Sequence, residues 1–124
     1  NTIEQMPQGS FGFVYVIHNL TKNKKYCGKK FLFHKKTLKP LKNTKRKRMV
    51  YKESDWKTYT GSNAELNTDI VSGDIIRRDI IKICFTKKQL TYYELKYHML
   101  LGVIESNEYY NDNIAGKFYR KDLL

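Results

Sequence analysis

Apolar and polar positions alternate most regularly near the start of the chain. In Phe11 to His18 (FGFVYVIH), Phe13, Tyr15 and Ile17 fall on one parity and Val14, Val16 and His18 on the other. That period of two predicts a β-strand. NLTKN follows as a turn, and KKYCGKKF predicts a second short strand, so the pair reads as a hairpin. Leu66 and Ile70 lie four apart within Ala64–Val71, which predicts a short helix. The turn and cap Gly61-Ser62-Asn63 leads into it, and Ser72-Gly73-Asp74 ends it. Ile75 to Phe85 (IIRRDIIKICF) is the third strand candidate. Its isoleucines fall on both parities, as expected of a central strand covered on both sides. Thr86 can cap a helix running to about Gly102, followed by the shorter segment SNEYYNDN and a tail ending FYRKDLL.

The helix after Thr86 carries an anomaly. Leu90, Glu94, Tyr97 and Leu101 are spaced four, three and four, which stacks them on one face. A carboxylate along an apolar stripe is costly unless it is paired or binds a cation. Glu94 is therefore either the partner of a nearby lysine or a metal ligand. Tyr15 and Tyr26 sit eleven residues apart across the hairpin, and their side chains can emerge near one another. Strand tyrosines are commonly core or edge residues; here Gly28 lies close by, and its bare backbone would allow a ligand to approach.

Charge changes the picture. The chain has 124 residues, expected to form one domain, with 24 Lys and Arg against 12 Asp and Glu, a formal net charge of +12. Such a field favours polyanions. Fourteen of the cations, and no acid, lie between Lys22 and Lys52. Residues 35–48 within that run have few core-forming side chains and contain Pro40, so a basic loop or arm is expected at about 35–52. The alternative is an ordinary solvated loop. The 17 aromatic residues argue for a folded chain. The two cysteines, Cys27 and Cys84, have no metal-ligand spacing, which fits a reduced cytoplasmic setting. No stretch approaches the roughly 18 apolar residues of a membrane span. Asn1 to Phe13 lacks the order of a signal peptide, and without an initiator Met the chain is expected to be trimmed. Trp56 is expected to anchor the core or a loop.

GFVYVIHNLTKNKKYCGKK resembles the signature of GIY-YIG nucleases, whose two short motifs lie on adjacent strands. Phe13-Val14-Tyr15 stands for the first motif and Tyr26-Cys27-Gly28 for the second; both tyrosines and the second glycine match. TYYELKYHMLLGVIESNEYYNDNIAGKF resembles the later pattern, with Glu94 and Asn111 as the counterparts of a helical glutamate and an asparagine. SDWKTYTGSNAEL, with its lysine-rich lead-in, is similar to a phage-borne, homing-endonuclease-like branch. The resemblance covers roughly residues 11–118. Tyr59-Thr60-Gly61-Ser62-Asn63 also reads like a second motif, but it lies too far from Tyr15 for a simple hairpin, so Tyr26-Cys27-Gly28 is preferred.

The resemblance implies an α+β fold, a small three-stranded antiparallel sheet flanked by helices. It implies an endonuclease on double-stranded DNA that uses Mg²⁺ (or Mn²⁺) held by Glu94, leaving 5′-phosphate and 3′-hydroxyl ends. Tyr15 would be general base or proton relay, with Lys29 lowering its pKa. Tyr26 would help hold the phosphate, and Asn111 would orient the metal shell or the glutamate. The family's arginine has no counterpart at its usual spacing. The candidates to replace it are, in order, Lys29, Lys30 and His34, then Arg46 and Arg48 if the arm folds back. Lys35, Lys36, Lys45, Arg46, Lys47 and Arg48 are expected to bind DNA. A phage-encoded protein in the infected bacterial cytoplasm is implied, with homodimerisation left open. A non-catalytic nucleic-acid-binding protein, or an inactive relative, accounts equally well for the charge.

Overall fold

The computed structural model describes residues 6–123. Asn1 to Gln5 and Leu124, included in the expected 1–124 domain, lie outside the described residues, as does the side chain of Lys36. The main sheet contains strands β1 (Gly12–Asn19), β2 (Lys24–Phe31) and β5 (Ile76–Cys84) in the order β2-β1-β5, antiparallel throughout. Strands β3 (Phe33–Leu38) and β4 (Arg48–Glu53) pair only with each other. Helix α1 (Ala64–Val71) precedes β5, and α2 (Lys87–Leu101) follows it. A small hairpin, β6 (Asn113–Ile114) and β7 (Phe118–Tyr119), leads into α3 (Arg120–Leu123). The fold is α+β, as expected. No helix among the described residues is long and apolar enough to cross a membrane.

The central strand is β1, not the Ile75–Phe85 segment, which forms the edge strand β5. The isoleucines of β5 misled because every side chain from Ile80 to Ile83 is half-buried, whereas Gly12 to Ile17 are all buried. Alternation along β1 feeds two separate cores. Val14 and Val16 pack with Cys27, Cys84, Leu90, Val103 and Ile104 on the α2 side. Phe13, Tyr15 and Ile17 pack with Trp56, Leu66 and Tyr110 on the other. Gly12 lets the helix rest on the sheet: a Cβ there would stand 2.6 Å from both Leu90 Cδ2 and the Lys30 carbonyl oxygen.

Both main helices have the expected ends. The Asn63 side chain accepts from the Leu66 N–H, and Thr86 accepts from Gln89. Gly102, at φ +61°, closes α2 in the left-handed conformation. The basic arm is a correction. Its flanks, Phe33–Leu38 and Arg48–Glu53, form a β-ribbon, because two exposed strands satisfy each other's backbone groups, and residues 39–47 between them are the loop. The ribbon leaves the sheet at Leu32 and returns at Ser54, whose N–H donates to the Leu32 carbonyl at 2.8 Å.

The SNEYYNDN segment lies against the outer edge of β2. Lys25 donates to the Glu108 carbonyl, and Tyr110 donates to the Lys25 carbonyl, each at 2.7 Å. Asn19 donates its amide to Asp74 at 2.8 Å and to the Tyr110 hydroxyl at 3.0 Å. Tyr110 in turn donates to Asp69 at 2.6 Å. This buried network ties the end of β1 to α1 and to the β2-edge segment.

Candidate active site

Register brings the two motif tyrosines together. Tyr15 pairs with Gly28 and Ile17 with Tyr26, so both phenols rise from the same face of the hairpin. Their ring centroids are 6.3 Å apart, and Tyr59 packs edge-on against Tyr15 at 6.2 Å. The Tyr15 hydroxyl occupies a slot between two glycines. A Cβ at Gly28 would lie 2.7 Å from it, and one at Gly61 3.1 Å. The bare backbone of Gly28 therefore receives the Tyr15 side chain; the expectation of an opening for a ligand there is corrected.

Beside Tyr26 lies a groove of about 390 Å³ lined by Ser62, Asn63, Glu94, His98, Asn111 and Asp112 among others. It straddles the outer edge of β2, with Tyr26 on one flank and Glu94 and His98 of α2 on the other. Glu94 is partly buried, and its Oε1 stands 3.4 Å from Lys29 Nζ. That distance is longer than a tight charge-assisted hydrogen bond. Among the described residues no group of three or more His, Cys, Asp or Glu side chains gathers. Glu94 thus offers one carboxylate. Mg²⁺ needs little more, because it keeps several waters and takes substrate phosphate oxygens as ligands, so the donor set fits that ion.

Burial pushes the Tyr15 hydroxyl well above its ordinary pKa, and Tyr26 and Tyr59 add to the effect. Tyr26 is pushed up to about 12, again mainly by burial, with a hydrogen bond from Ser62 acting the other way. Both phenols are therefore neutral at physiological pH. The expected lowering of the Tyr15 pKa by Lys29 is corrected: burial raises it, and Lys29 faces Glu94.

Among the predicted cations, the one beside Tyr59 on the tyrosine face is Lys30. Its Nζ lies 3.8 Å from the Tyr59 ring centroid and 2.6 Å from Asp55 Oδ1. Arg78 of β5 sits on the same face, its guanidinium 5.5 Å from the Phe13 ring centroid. It donates to the carbonyls of Trp56, Lys57 and Tyr59, holding the loop that carries Tyr59. Sequence spacing gave no sign of Arg78, which reaches this cluster only through the pairing of β5 with β1. Trp56 is buried and anchors that loop, as expected.

Asn111 also has a different posture from the expected one. Its buried side-chain amide grips the backbone of Cys27, accepting from the N–H at 3.0 Å and donating to the carbonyl at 2.8 Å. His98 Nε2 hydrogen-bonds the same carbonyl at 3.0 Å. These two side chains take the place of a neighbouring strand and fix the middle residue of the second motif. His98 was missed, although it lies one helical turn beyond Glu94. Its Nδ1 is buried with no hydrogen-bond partner among the described residues.

The remaining candidates lie on the ribbon. His34 is exposed on β3, with Asp55 as an electrostatic neighbour. Lys35 lies on β3, Arg48 on β4, and Lys45, Arg46 and Lys47 in the connection between them, all exposed. None of these lines the Glu94 groove, so Arg46 and Arg48 do not fold back into it. Lys36 pairs with Val50 in the ribbon register.

Neither a curated protein nor a solved structure matches this chain. The family model described as "Putative endonuclease segE, GIY-YIG domain" matches residues 1–114. With the match spanning both tyrosine motifs, Glu94 and Asn111, the chain belongs to the GIY-YIG endonuclease family.

Proposed function

We propose that the chain is a Mg²⁺-dependent endonuclease on double-stranded DNA. The observation carrying this reading is the groove into which Tyr26 and Glu94 both face, with Tyr15 directly behind Tyr26. Family membership supports nuclease chemistry, and the net charge of +12 supports a polyanionic substrate. Phage encoding and action in the infected cell belong to the same proposal, with the segE name in support.

Hydrolysis forms a bond from water oxygen to phosphorus and breaks the bond from phosphorus to the 3′ oxygen. One proton leaves the water, and one arrives on the 3′ oxygen. The products carry 5′-phosphate and 3′-hydroxyl ends. Glu94 would hold Mg²⁺, which when bound neutralises charge on the phosphoryl oxygens. Tyr26 orients the phosphate by hydrogen bonding from its neutral hydroxyl. Lys30, beside Tyr59, replaces the family arginine, acting as a point charge without a bidentate fork. Tyr15, neutral and desolvated, would serve as a relay: its oxygen would take the proton the water loses while its own proton passes to solvent, and solvent supplies the proton that the 3′ oxygen gains. Asn111 and His98 keep the Tyr26 backbone in place through Cys27. Lys29 balances Glu94 until substrate and metal arrive.

Purified protein incubated with supercoiled plasmid and Mg²⁺ tests this reading. Nicked and linear products that vanish on chelation are expected. Intact plasmid, from a preparation that binds the same DNA, would leave a non-catalytic binder.

A further inference from the structure

The β3–β4 ribbon belongs to neither core. Its register sets Phe33 opposite Glu53, Lys35 opposite Tyr51 and Thr37 opposite Met49, so these six side chains share a face, with Phe33 and Glu53 at the base of the ribbon. Contacts agree: Thr37 Oγ1 lies 3.4 Å from Met49 Sδ, and Lys35 Nζ lies 6.0 Å from the Tyr51 ring centroid. Arg48, Val50, Lys52 and His34 take the opposite face. Both faces are open to solvent; Met49 is 55% and Tyr51 66% exposed. Large apolar side chains gathered on an exposed surface mark a place that a partner covers. The surrounding charge has no acid between Lys22 and Lys52, and the one acid of the ribbon, Glu53 at its base, accepts from Trp56 Nε1 at 2.9 Å; this field restricts the partner to a polyanion.

Dimensions select among polyanions. A ribbon of six-residue strands is roughly 20 Å long, with its strands about 5 Å apart. A two-stranded ribbon enters the major groove of B-DNA, about 12 Å wide, and is too broad for the minor groove of about 6 Å. The Lys35 ammonium and the Thr37 and Tyr51 hydroxyls suit acceptors on base edges. The Met49 side chain and the Thr37 methyl suit the thymine methyl. Arg48 and Lys52, on the other face, are long enough to turn to phosphates on the groove walls. The base of the ribbon is fixed beside the site, because Leu32 and Ser54 bracket it and Lys30 pairs with Asp55 one residue further on.

We propose that the ribbon lies in the major groove of duplex DNA, with its Lys35, Thr37, Met49 and Tyr51 face toward the bases. The proposal rests on the DNA-directed reading above, but its test reads binding, not cleavage. Dimethyl sulfate methylates guanine N7 in the major groove and adenine N3 in the minor groove, so a single reagent reports on both. The probe is a mixed-sequence duplex saturated with protein in chelator, with binding followed by anisotropy. Guanine N7 should be protected and adenine N3 should stay reactive. In Lys35→Ala/Tyr51→Ala, Kd should rise about tenfold, and N7 reactivity should return at concentrations that again saturate the duplex. The melting temperature should not move, because neither residue packs on a core.

Protection of N3 without N7, protection of neither groove, or N7 protection that survives in the variant would each overturn the proposal. So would failure to bind duplex at all. Cleavage on adding Mg²⁺ without N7 protection would sink the ribbon assignment alone. N7 protection lost in the variant, with no cleavage under any condition, would sink the nuclease reading and leave the ribbon assignment standing.

Discussion

A methyl group at position 28 would meet the Tyr15 hydroxyl at 2.7 Å and the Tyr26 ring at 3.0 Å, closer than side chains approach one another. Gly28→Ala must therefore displace the buried phenol, at a cost of about 1–3 kcal/mol. Adding Tyr15→Phe to that variant removes the oxygen that is struck first, so part of the lost stability should return in denaturant melts. A double variant no more stable than the sum of the singles would show that the hydroxyl is not the obstacle. The same burial sets a pH dependence. Tyr15 and Tyr26 have folded pKa values above the ordinary phenol value near 10, so unfolded chains lose these protons first as pH rises. Their contribution is complete below pH about 10; that of Tyr26 is lost between there and about 12, and that of Tyr15 goes on falling beyond. Stability should fall through that window, and Tyr15→Phe should make the fall shallower. An identical alkaline slope in the variant would contradict the assigned burial. Both tyrosines were legible from sequence because strand parity fixes a face. Lys30 and Tyr59, which complete the cluster, were less so, because their meeting depends on a loop held by Arg78 from another strand.

At the level of elements, β1, β2, α1 and α2 followed from alternation and caps, and their observed limits lie within a residue or two of the expected ones. The ribbon escaped because both its faces are solvated, so no parity separates apolar from polar positions. The rank of β5 in the sheet escaped for the opposite reason. Partial burial on both faces resembles central burial when only residue types are visible. The outer edge of β2 shows how local patterning gives way to tertiary pairing. Asn111 serves Cys27 as a neighbouring strand would, a role no spacing rule announces. Asn111→Ala leaves a buried N–H unpaired and should cost about 1–3 kcal/mol. Hydrogen exchange should show the Cys27 amide losing protection ahead of the Val14 and Val16 amides in the sheet centre. Unchanged protection at Cys27 would mean that the clamp does not hold the edge.

Across the whole molecule, four separate segments converge on one groove: β2 with Tyr26, residues 62–64, α2 with Glu94 and His98, and residues 111–115. The buried Asn19–Tyr110–Asp69 network and the Arg78 contacts hold these parts in register at a distance from the groove itself. Glu94 could be nothing more than the partner of Lys29, and the two roles differ in what its removal does. Both side chains are partly exposed, so a purely structural pair contributes little, of the order of 1 kcal/mol or less. A carboxylate required for metal-assisted cleavage contributes to the rate and not to folding. The deciding measurement is plasmid cleavage in Mg²⁺ by Glu94→Ala beside the unaltered protein, with melting temperature and DNA affinity recorded on the same preparations. The account predicts that melting and binding persist while cleavage falls by at least ~10²-fold. Cleavage at the unaltered rate would contradict it.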